Sequence, residues 1–314
     1  MLASPGRLPP DGGPWAYEMK WDGQRAIAVV DAAQVRLWAR SGRDITSSYP
    51  ELQQLAAAGP GSRAVLDGEI VAFGGAAWPT FEVLQQRMHV ASPAQAARLA
   101  AEVPVTYLVF DLLCQDGQPL LDLPYSRRRA ALESLGLNGS HWQTPPSFTD
   151  ATGAEVLAVS RQHGLEGVIA KRLGSRYEPG RRSPAWIKIK NTFRQEAVVG
   201  GWQPGEGGRS GQIGSLLIGV NGPAGLEYAG HVGTGFTRQA LAMLGQRLAA
   251  LRRTTSPFAT PVPREHARSA QWVEPQLVIE IEFSVWTSAG VMRAASYKGL
   301  RADKDPSEVV REPV

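Results

Sequence analysis

The chain has 314 residues, 43% of them hydrophobic and 20% charged, the balance of a folded globular protein and more than one compact core commonly takes. A lone cysteine, Cys114, excludes an intramolecular disulfide framework and a cysteine-based zinc site. No apolar run approaches the roughly 20 residues that span a bilayer. The net charge of +4 and a pI near 9.3 permit a nucleic-acid partner without demanding one. In chain order, residues 15–19 and 24–30 read as strands with Trp21-Asp22-Gly23 turning between them, and 35–40 alternates apolar and polar as a third. The β-rich runs 62–73 and 103–113 predict buried strands, with Cys114 a core residue after the second. Helical periodicity marks 80–87, 92–101, 126–135 and 152–163. After Asn191 come short strands at 196–202, 213–220, 226–232 and 277–286, separated by Gly-rich turns, and one amphipathic helix near 237–252.

Strands and helices mixed in irregular order argue for an α+β fold and against a doubly wound parallel sheet. The second part suits a small OB-type β-barrel. The expected division is therefore a first domain of mixed antiparallel sheets and helices over 1–192 and a barrel over 193–314. The Gly-rich stretch 205–211 lacks the Gly-Lys-Ser/Thr ending of a phosphate loop and reads as a hairpin turn. Positive charge gathers at Arg127, Arg128 and Arg129, and again at Arg172, Arg176, Arg181 and Arg182. Such runs can track phosphates, though a solvated helix face is the commoner reason for one. The five histidines show no paired spacing and suggest no catalytic role.

Lysine use is more telling. Of 33 basic residues only Lys20, Lys171, Lys188, Lys190, Lys298 and Lys304 are lysine. Arginine supplies charge equally well, but only lysine can shed its proton and attack. In Glu18-Met19-Lys20-Trp21-Asp22-Gly23-Gln24-Arg25 a strand delivers Lys20 to a sheet edge, with the Glu18 carboxylate two residues back on the same face. Lys188 and Lys190 alternate out of Trp186-Ile187-Lys188-Ile189-Lys190 onto one strand face. They would repel unless an anion such as a polyphosphate lay between them. Neighbouring cations or desolvation would make such an amine nucleophilic.

Lys20-x-Asp22-Gly23-x-Arg25 resembles the nucleophile motif of the covalent nucleotidyltransferases, the superfamily of ATP-dependent DNA ligases, RNA ligases and mRNA capping enzymes. The remaining motifs follow in order: Arg40-Ser41-Gly42, Leu66-Asp67-Gly68-Glu69, Phe110-Asp111, Glu166 through Lys171, Trp186 through Lys190, and Arg301-Ala302-Asp303-Lys304. Tyr17 through Gly23, Val232-Gly233-Thr234-Gly235-Phe236 and Lys298 through Lys304 resemble the bacterial ligases of the non-homologous end-joining group. One departure precedes the last motif: Ala294-Ala295 and Tyr297 stand where related sequences often carry His-Pro and Phe, which bears on local packing.

The resemblance implies an ATP-dependent DNA ligase. Lys20 would attack the α-phosphate of ATP, with Asp22 in the same catalytic motif, giving lysyl-AMP and pyrophosphate. Glu18 and the Met19 backbone would read the adenine edge while Phe110 stacks on its face. Taken alone, Phe110 is equally a core aromatic, and Asp111 a strand-end cap. Arg25 and Arg40 would hold ribose and phosphate. Glu69 and Glu166 are hard oxygen ligands suited to Mg2+ or Mn2+. Lys188, Lys190 and Arg182 would steady the α-phosphate, and Arg301 and Lys304, with Asp303 between them, would clamp pyrophosphate. AMP would pass to the 5′-phosphate of nicked or broken duplex DNA, and the 3′-hydroxyl would then displace it. The barrel would close over ATP and later swing away about a hinge at 191–196. The expected setting is a bacterial cytoplasmic, nucleoid-associated monomer, recruited by a Ku-like end-binding protein, with no membrane partner and no separate N-terminal DNA-binding domain. An RNA ligase, a capping-type enzyme or an inactive end-binding module are the alternatives.

Overall fold

The computed structural model describes every residue except 32–33, 59–62, 74, 76, 91, 206–211 and 313–314; the hairpin turn expected at 205–211 thus falls almost wholly outside the described residues. The described chain divides into two compact units, Met1–Asn191 and Thr192–Val314.

The first unit carries strands β1 (Leu2–Pro5), β2 (Trp15–Met19), β3 (Gln24–Asp31), β4 (Val35–Ala39), β5 (Arg63–Ala72), β6 (Val105–Gln115), β7 (Gln118–Pro119), β8 (Trp142–Gln143), β9 (Gly167–Arg172) and β10 (Arg182–Lys190). Its helices are α1 (Phe81–Gln85), α2 (Pro93–Glu102), α3 (Tyr125–Ser134) and α4 (Gly153–Gln162). One sheet runs β4-β3-β5-β6-β7, antiparallel throughout, with β8 added parallel to β6. Another runs β1-β10-β9-β2, where only β1 joins in parallel. The strong apolar alternation of β3 and β5 puts Ala26, Ala28, Leu66 and Ile70 into one core with Leu37, Tyr107 and Leu112. Helix α4 starts on a capping box, Thr152 and Glu155 each satisfying the other's backbone N–H.

The helices stand where periodicity places them, shifted by a residue or two, except that α1 is a single short turn beginning at Phe81. Strands β1, β7 and β8 are too short to leave a pattern, and the stretch Pro50–Ala58 winds as a 3-10 helix. Gly23 does more than turn the chain. A Cβ there would meet the Ile70 carbonyl oxygen at 2.3 Å, so glycine is what lets the nucleophile motif lie against β5.

The second unit comprises β11 (Phe193–Pro204), β12 (Ile213–Gly222), β13 (Gly225–Val232), α5 (Arg238–Ala249), α6 (Arg264–Ala267), β14 (Gln271–Phe283), β15 (Val285–Trp286), β16 (Met292–Arg293) and β17 (Ser296–Leu300). Its main sheet is ordered β13-β12-β11-β14-β17. A parallel bridge from Thr234 to Ser296, with Tyr297 N–H donating to the Thr234 carbonyl at 3.0 Å, ties the end of β13 to β17 and closes the sheet as an OB-type barrel. The Val-Gly-Thr-Gly-Phe motif makes that closure. Gly235 sits at φ 87 with its missing Cβ 2.4 Å from the Tyr297 carbonyl oxygen, and Phe236 stacks on Tyr297 at 4.9 Å. Just before the Arg301 motif, Ala294 adopts φ 55 and Ala295 and Tyr297 are buried. Among the described residues no helix is long and apolar enough to cross a membrane.

Candidate active site

The edges of the two sheets of the first unit meet around Lys20, the residue after β2. Its backbone N–H donates to Gly167 at 2.8 Å, extending the β2–β9 ladder by one rung. Its side chain reaches a cavity of about 220 Å³ whose lining includes Glu18, Met19, Arg25, Arg40, Glu69, Phe110, Lys171, Arg182, Trp186 and Lys188. These ten residues, all quoted from the sequence motifs, the lysine set or the basic runs, are therefore brought together with Lys20, on strands from both sheets, as the alternation of β2 and β10 requires.

Lys20 is ion-paired with Glu166, whose other oxygen takes Lys190 at 2.6 Å. Burial pushes the Glu166 carboxyl up, but Lys20 and Lys190 together hold it below the ordinary carboxylate range. Lys190 is half-exposed and joins the site through Glu166 instead of lining the cavity. Lys188 does line it, and burial followed by the like charges of Lys190, Arg182 and Lys20 lowers its amine. Arg182 also donates to the Ala3 carbonyl, which pins β1 to β10. Asp22 is half-buried beyond the lining.

Glu69 lies beside Lys20 and Arg25, yet desolvation outweighs both cations and pushes its carboxyl up to about 8. A carboxylate so placed is stabilised by a further cation. Among the described residues no three His, Cys, Asp or Glu side chains converge into a metal cage. Glu69 and Glu166 on either side of Lys20 nevertheless fit Mg2+, which keeps several waters and takes one or two carboxylates plus phosphates.

Arg25 is held rigidly. It forms a bidentate pair with the fully buried Asp67, at 2.9 and 2.6 Å, and Tyr177 donates to the same carboxylate at 2.7 Å. Phe110 is half-buried at the cavity wall, edge-on to Trp186 at 6.2 Å, with Arg25 5.6 Å from its ring. Asp111 lies inside β6, not at its end: it is fully buried and paired bidentately with Arg128, at 2.8 and 2.9 Å, and its Oδ1 also accepts from the Leu112 N–H at 3.0 Å. The triple arginine is likewise no solvated face. Arg128 and Arg129 are buried and only Arg127 faces outward. Cys114 is half-buried instead of a core residue.

Beneath the cavity lies a group that periodicity could not reveal. Glu18 is 3% exposed and receives Tyr125 Oη on one oxygen and Lys171 Nζ, at 2.8 Å, on the other. Lys171 is itself 1% exposed, its ammonium 4.5, 4.9 and 4.3 Å from the rings of Phe110, Tyr125 and Trp186. Lys171 was marked by the scarcity of lysine and by its place in the Glu166–Lys171 motif; Asp67 stood in a quoted motif without a role, and nothing marked Tyr125 or Tyr177.

Arg301, Asp303 and Lys304 belong to the second unit and form a cluster of their own. Asp303 holds Arg301 bidentately, at 3.0 and 2.9 Å, while Glu196 takes Arg301 at 2.7 Å and Lys304 at 3.5 Å. Two histidines without paired spacing, His231 and His266, lie in the same unit with ring centroids 4.3 Å apart and planes tilted by 42°.

Comparison with known proteins gives a consistent result. A family model described as ATP dependent DNA ligase domain matches residues 8–190, and one described as ATP dependent DNA ligase C terminal region matches 209–304. The multifunctional non-homologous end joining DNA repair protein LigD of Mycobacterium tuberculosis is 46% identical over 298 residues, which is 95% of this chain and 37% of that protein. LigD of Pseudomonas aeruginosa is 40% identical over 311 residues, 96% of this chain and 35% of that one. The chain thus spans little more than a third of these curated relatives. A solved structure of mycobacterial DNA ligase D complexed with ATP and MES matches with a TM-score of 0.55 and 42% identity, covering 99% of this chain and 97% of that one.

Proposed function

The chain belongs to the ATP-dependent DNA ligases, its sequence of the bacterial end-joining LigD type, and from that membership we propose that it seals breaks in duplex DNA through an AMP carried on Lys20. The observation that carries this reading is the position of Lys20. It is an amine on a strand edge, at a cavity walled by an aromatic, a buried carboxylate and a bank of cations.

In the resting arrangement Lys20 is an ammonium paired with Glu166. Attack on the α-phosphate needs the free amine, so this pair must part. Lys188, Lys190 and Arg182 neutralise the charge that develops on the phosphate. Phe110 offers a ring face to the adenine, Glu18 and the Met19 backbone its polar edge, and Arg25 and Arg40 hold ribose and phosphate. Asp22 steadies the motif. Glu69 and Glu166 would hold Mg2+ or Mn2+, which supplies Lewis-acid stabilisation of the phosphates. Arg301 and Lys304, with Asp303 fixing the guanidinium, take the departing pyrophosphate. The AMP then moves to a 5′-phosphate, and a 3′-hydroxyl displaces it to make the phosphodiester.

Incubation with ATP and Mg2+ followed by peptide mass spectrometry is expected to find one AMP on Lys20 and none in Lys20→Ala. No adduct, or one elsewhere, overturns the reading. Chasing the adduct onto nicked DNA and nicked RNA should join the DNA; transfer to RNA alone would make it an RNA ligase. Arg301→Ala should block self-adenylation while sparing the sealing of pre-adenylated nicks. The enzyme is proposed to act as a monomer on nucleoid DNA, recruited by a Ku-like end-binding protein. Light scattering and supershift of DNA-bound Ku check those two points.

A further inference from the structure

Strand β4 alternates sharply. Val35 and Leu37 are buried in the core of the first unit, whereas Arg36 and Trp38 lie on the opposite face and are exposed, as is Arg40 just past its end. β4 is the edge of its sheet, yet its outer rim is closed over Leu37 to Ala39. Ala39 N–H donates to the Arg43 carbonyl and Ile45 N–H to the Leu37 carbonyl, both at 2.9 Å. A partner therefore meets side chains here, not an open ladder that a further strand could extend. Among the described residues neither the Arg36 nor the Arg40 guanidinium has a hydrogen-bond or ion-pair partner. Arg25, Arg87 and Arg128 of the same unit are each paired with a buried carboxylate. Asp44 feels the charge of Arg36 but takes its hydrogen bonds from Thr46.

Trp38 is 36% exposed and sits opposite Ile27 across the β3–β4 ladder. It borders a mostly apolar groove of about 620 Å³, lined also by Ile27, Val65, Leu113 and Leu121. Leu2, Arg25 and Arg40 line both this groove and the cavity around Lys20, so the two adjoin. The nucleotide occupies the Lys20 cavity in the proposed reaction and leaves the groove without an occupant. At about 3.3 Å per residue, Arg36 and Arg40 stand roughly 13 Å apart along the strand, the length of a few nucleotides of one strand. Free arginines with an aromatic ring between them complement a nucleic-acid strand, which offers phosphates at its backbone and ring faces at its bases.

We infer that the Arg36–Trp38–Arg40 face of β4 is a track for the DNA strand that carries the 5′-phosphate, with Trp38 stacking on a base near that phosphate and Arg36 holding a phosphate farther along. The inference rests on the reading of Lys20 as the AMP carrier, because that reading sets the accepting 5′-phosphate at the Arg40 end of the track. The rest of that strand must leave the cavity, and the groove beside Trp38 is an exit whose apolar lining suits base and sugar faces. The 3′-hydroxyl has to attack in line with the departing AMP. Its strand therefore approaches the same phosphorus from another side.

The test uses nicked duplexes carrying 5-iodouracil, which crosslinks to aromatic side chains on irradiation, with peptide mass spectrometry to find the site. Placed next to the 5′-phosphate, the probe should crosslink to Trp38; at the 3′-hydroxyl end or in the template strand it should not. Crosslinks to Trp38 from those other positions alone overturn the assignment. In the sealing of pre-adenylated nicks, Trp38→Ala should raise KM for DNA by about fivefold or more. Arg36→Gln should weaken DNA binding uniformly across sequences and flatten the slope of log affinity against log salt by about one, with Arg36→Lys restoring it. Self-adenylation without DNA should be unchanged in all three, since neither Arg36 nor Trp38 lines the Lys20 cavity. A matching fall in self-adenylation would show that Trp38 shapes the nucleotide cavity instead. Unchanged KM and salt slope would show an ordinary solvated face, and either result overturns the inference. Crosslinking and pre-adenylated nicks need no AMP on Lys20, so a protein that crosslinks at Trp38 but forms no adduct defeats the reading of Lys20 and keeps the track.

Discussion

Both units are laced with ion pairs, but of opposite kinds. Around the Lys20 cavity the charges are buried: Asp67, Asp111 and Arg128 have no exposed surface, and Glu18 and Lys171 have almost none. In the second unit the pairs lie on the outside of the barrel. The Arg301 side chain is 28% exposed and Asp303 65%, while Arg194 and Glu280 form a rim pair at 69% and 22%. Buried pairs are rigid and costly to break, because removing one partner strands a charge out of water. Exposed pairs exchange partners cheaply. The contrast fits the proposed tasks, since a base-reading wall must not move, whereas a guanidinium that takes pyrophosphate has to leave its carboxylates and return.

The sharpest way to break this comparison is Arg128→Met. It strips the buried Asp111 carboxyl, which burial already pushes up, of its bidentate partner, and removes one donor each from the Leu123 and Ser175 carbonyls, at 2.7 and 3.0 Å. The expected loss is about 3–5 kcal/mol in denaturant unfolding of the first unit. A loss under about 1 kcal/mol would mean that the buried pair is no more demanding than a surface one. Asp111→Asn combined with Arg128→Met should recover much of that loss, since neither half of this pair then leaves a charge stranded.

A smaller effect is expected from Ala294→Gly. Ala294 holds φ 55, a conformation costly to a residue with a Cβ. Glycine removes that strain and gives back part of the gain as unfolded-chain entropy, leaving a net stabilisation of up to about 1 kcal/mol. A melting temperature of the second unit that falls instead would show that the Ala294 methyl packs usefully.

How much of this was legible in sequence follows the same division. Lys20, Glu69, Lys188 and Arg301 belong to short motifs whose spacing survives in one dimension, and two-residue alternation alone put Glu18 and Lys20 on one face. The OB-type barrel was legible from its strands and single helix, though its closure at Gly235 shows only once Thr234 meets Ser296. What stayed hidden are partners far apart in the chain: Arg25 with Asp67, Tyr125 with Glu18, Lys20 with Glu166. Those pairings depend on strand register and on how α3 lies against β6. The triple arginine misled for that reason, because a run of like charges looks solvated until its buried carboxylates are placed.

The smallest expected effect is the most specific to the second unit. Glu280→Gln removes the 2.9 Å partner of Arg194 and a 3.7 Å neighbour of Arg301, yet leaves Asp303 and Glu196 to hold that guanidinium. Stability should change by less than about 1 kcal/mol, and the difference from the original should shrink in salt as screening shortens the reach of exposed charges to a few ångströms. Self-adenylation at limiting ATP should rise slightly, because one carboxylate fewer competes with the phosphates for Arg301. Glu196→Gln should raise it further, as its oxygen is the one shared by Arg301 and Lys304. If Glu196→Gln slowed self-adenylation, the exposed carboxylates would be holding Arg301 in its working position instead of competing for it, and the two units would no longer differ in how firmly their charges are held.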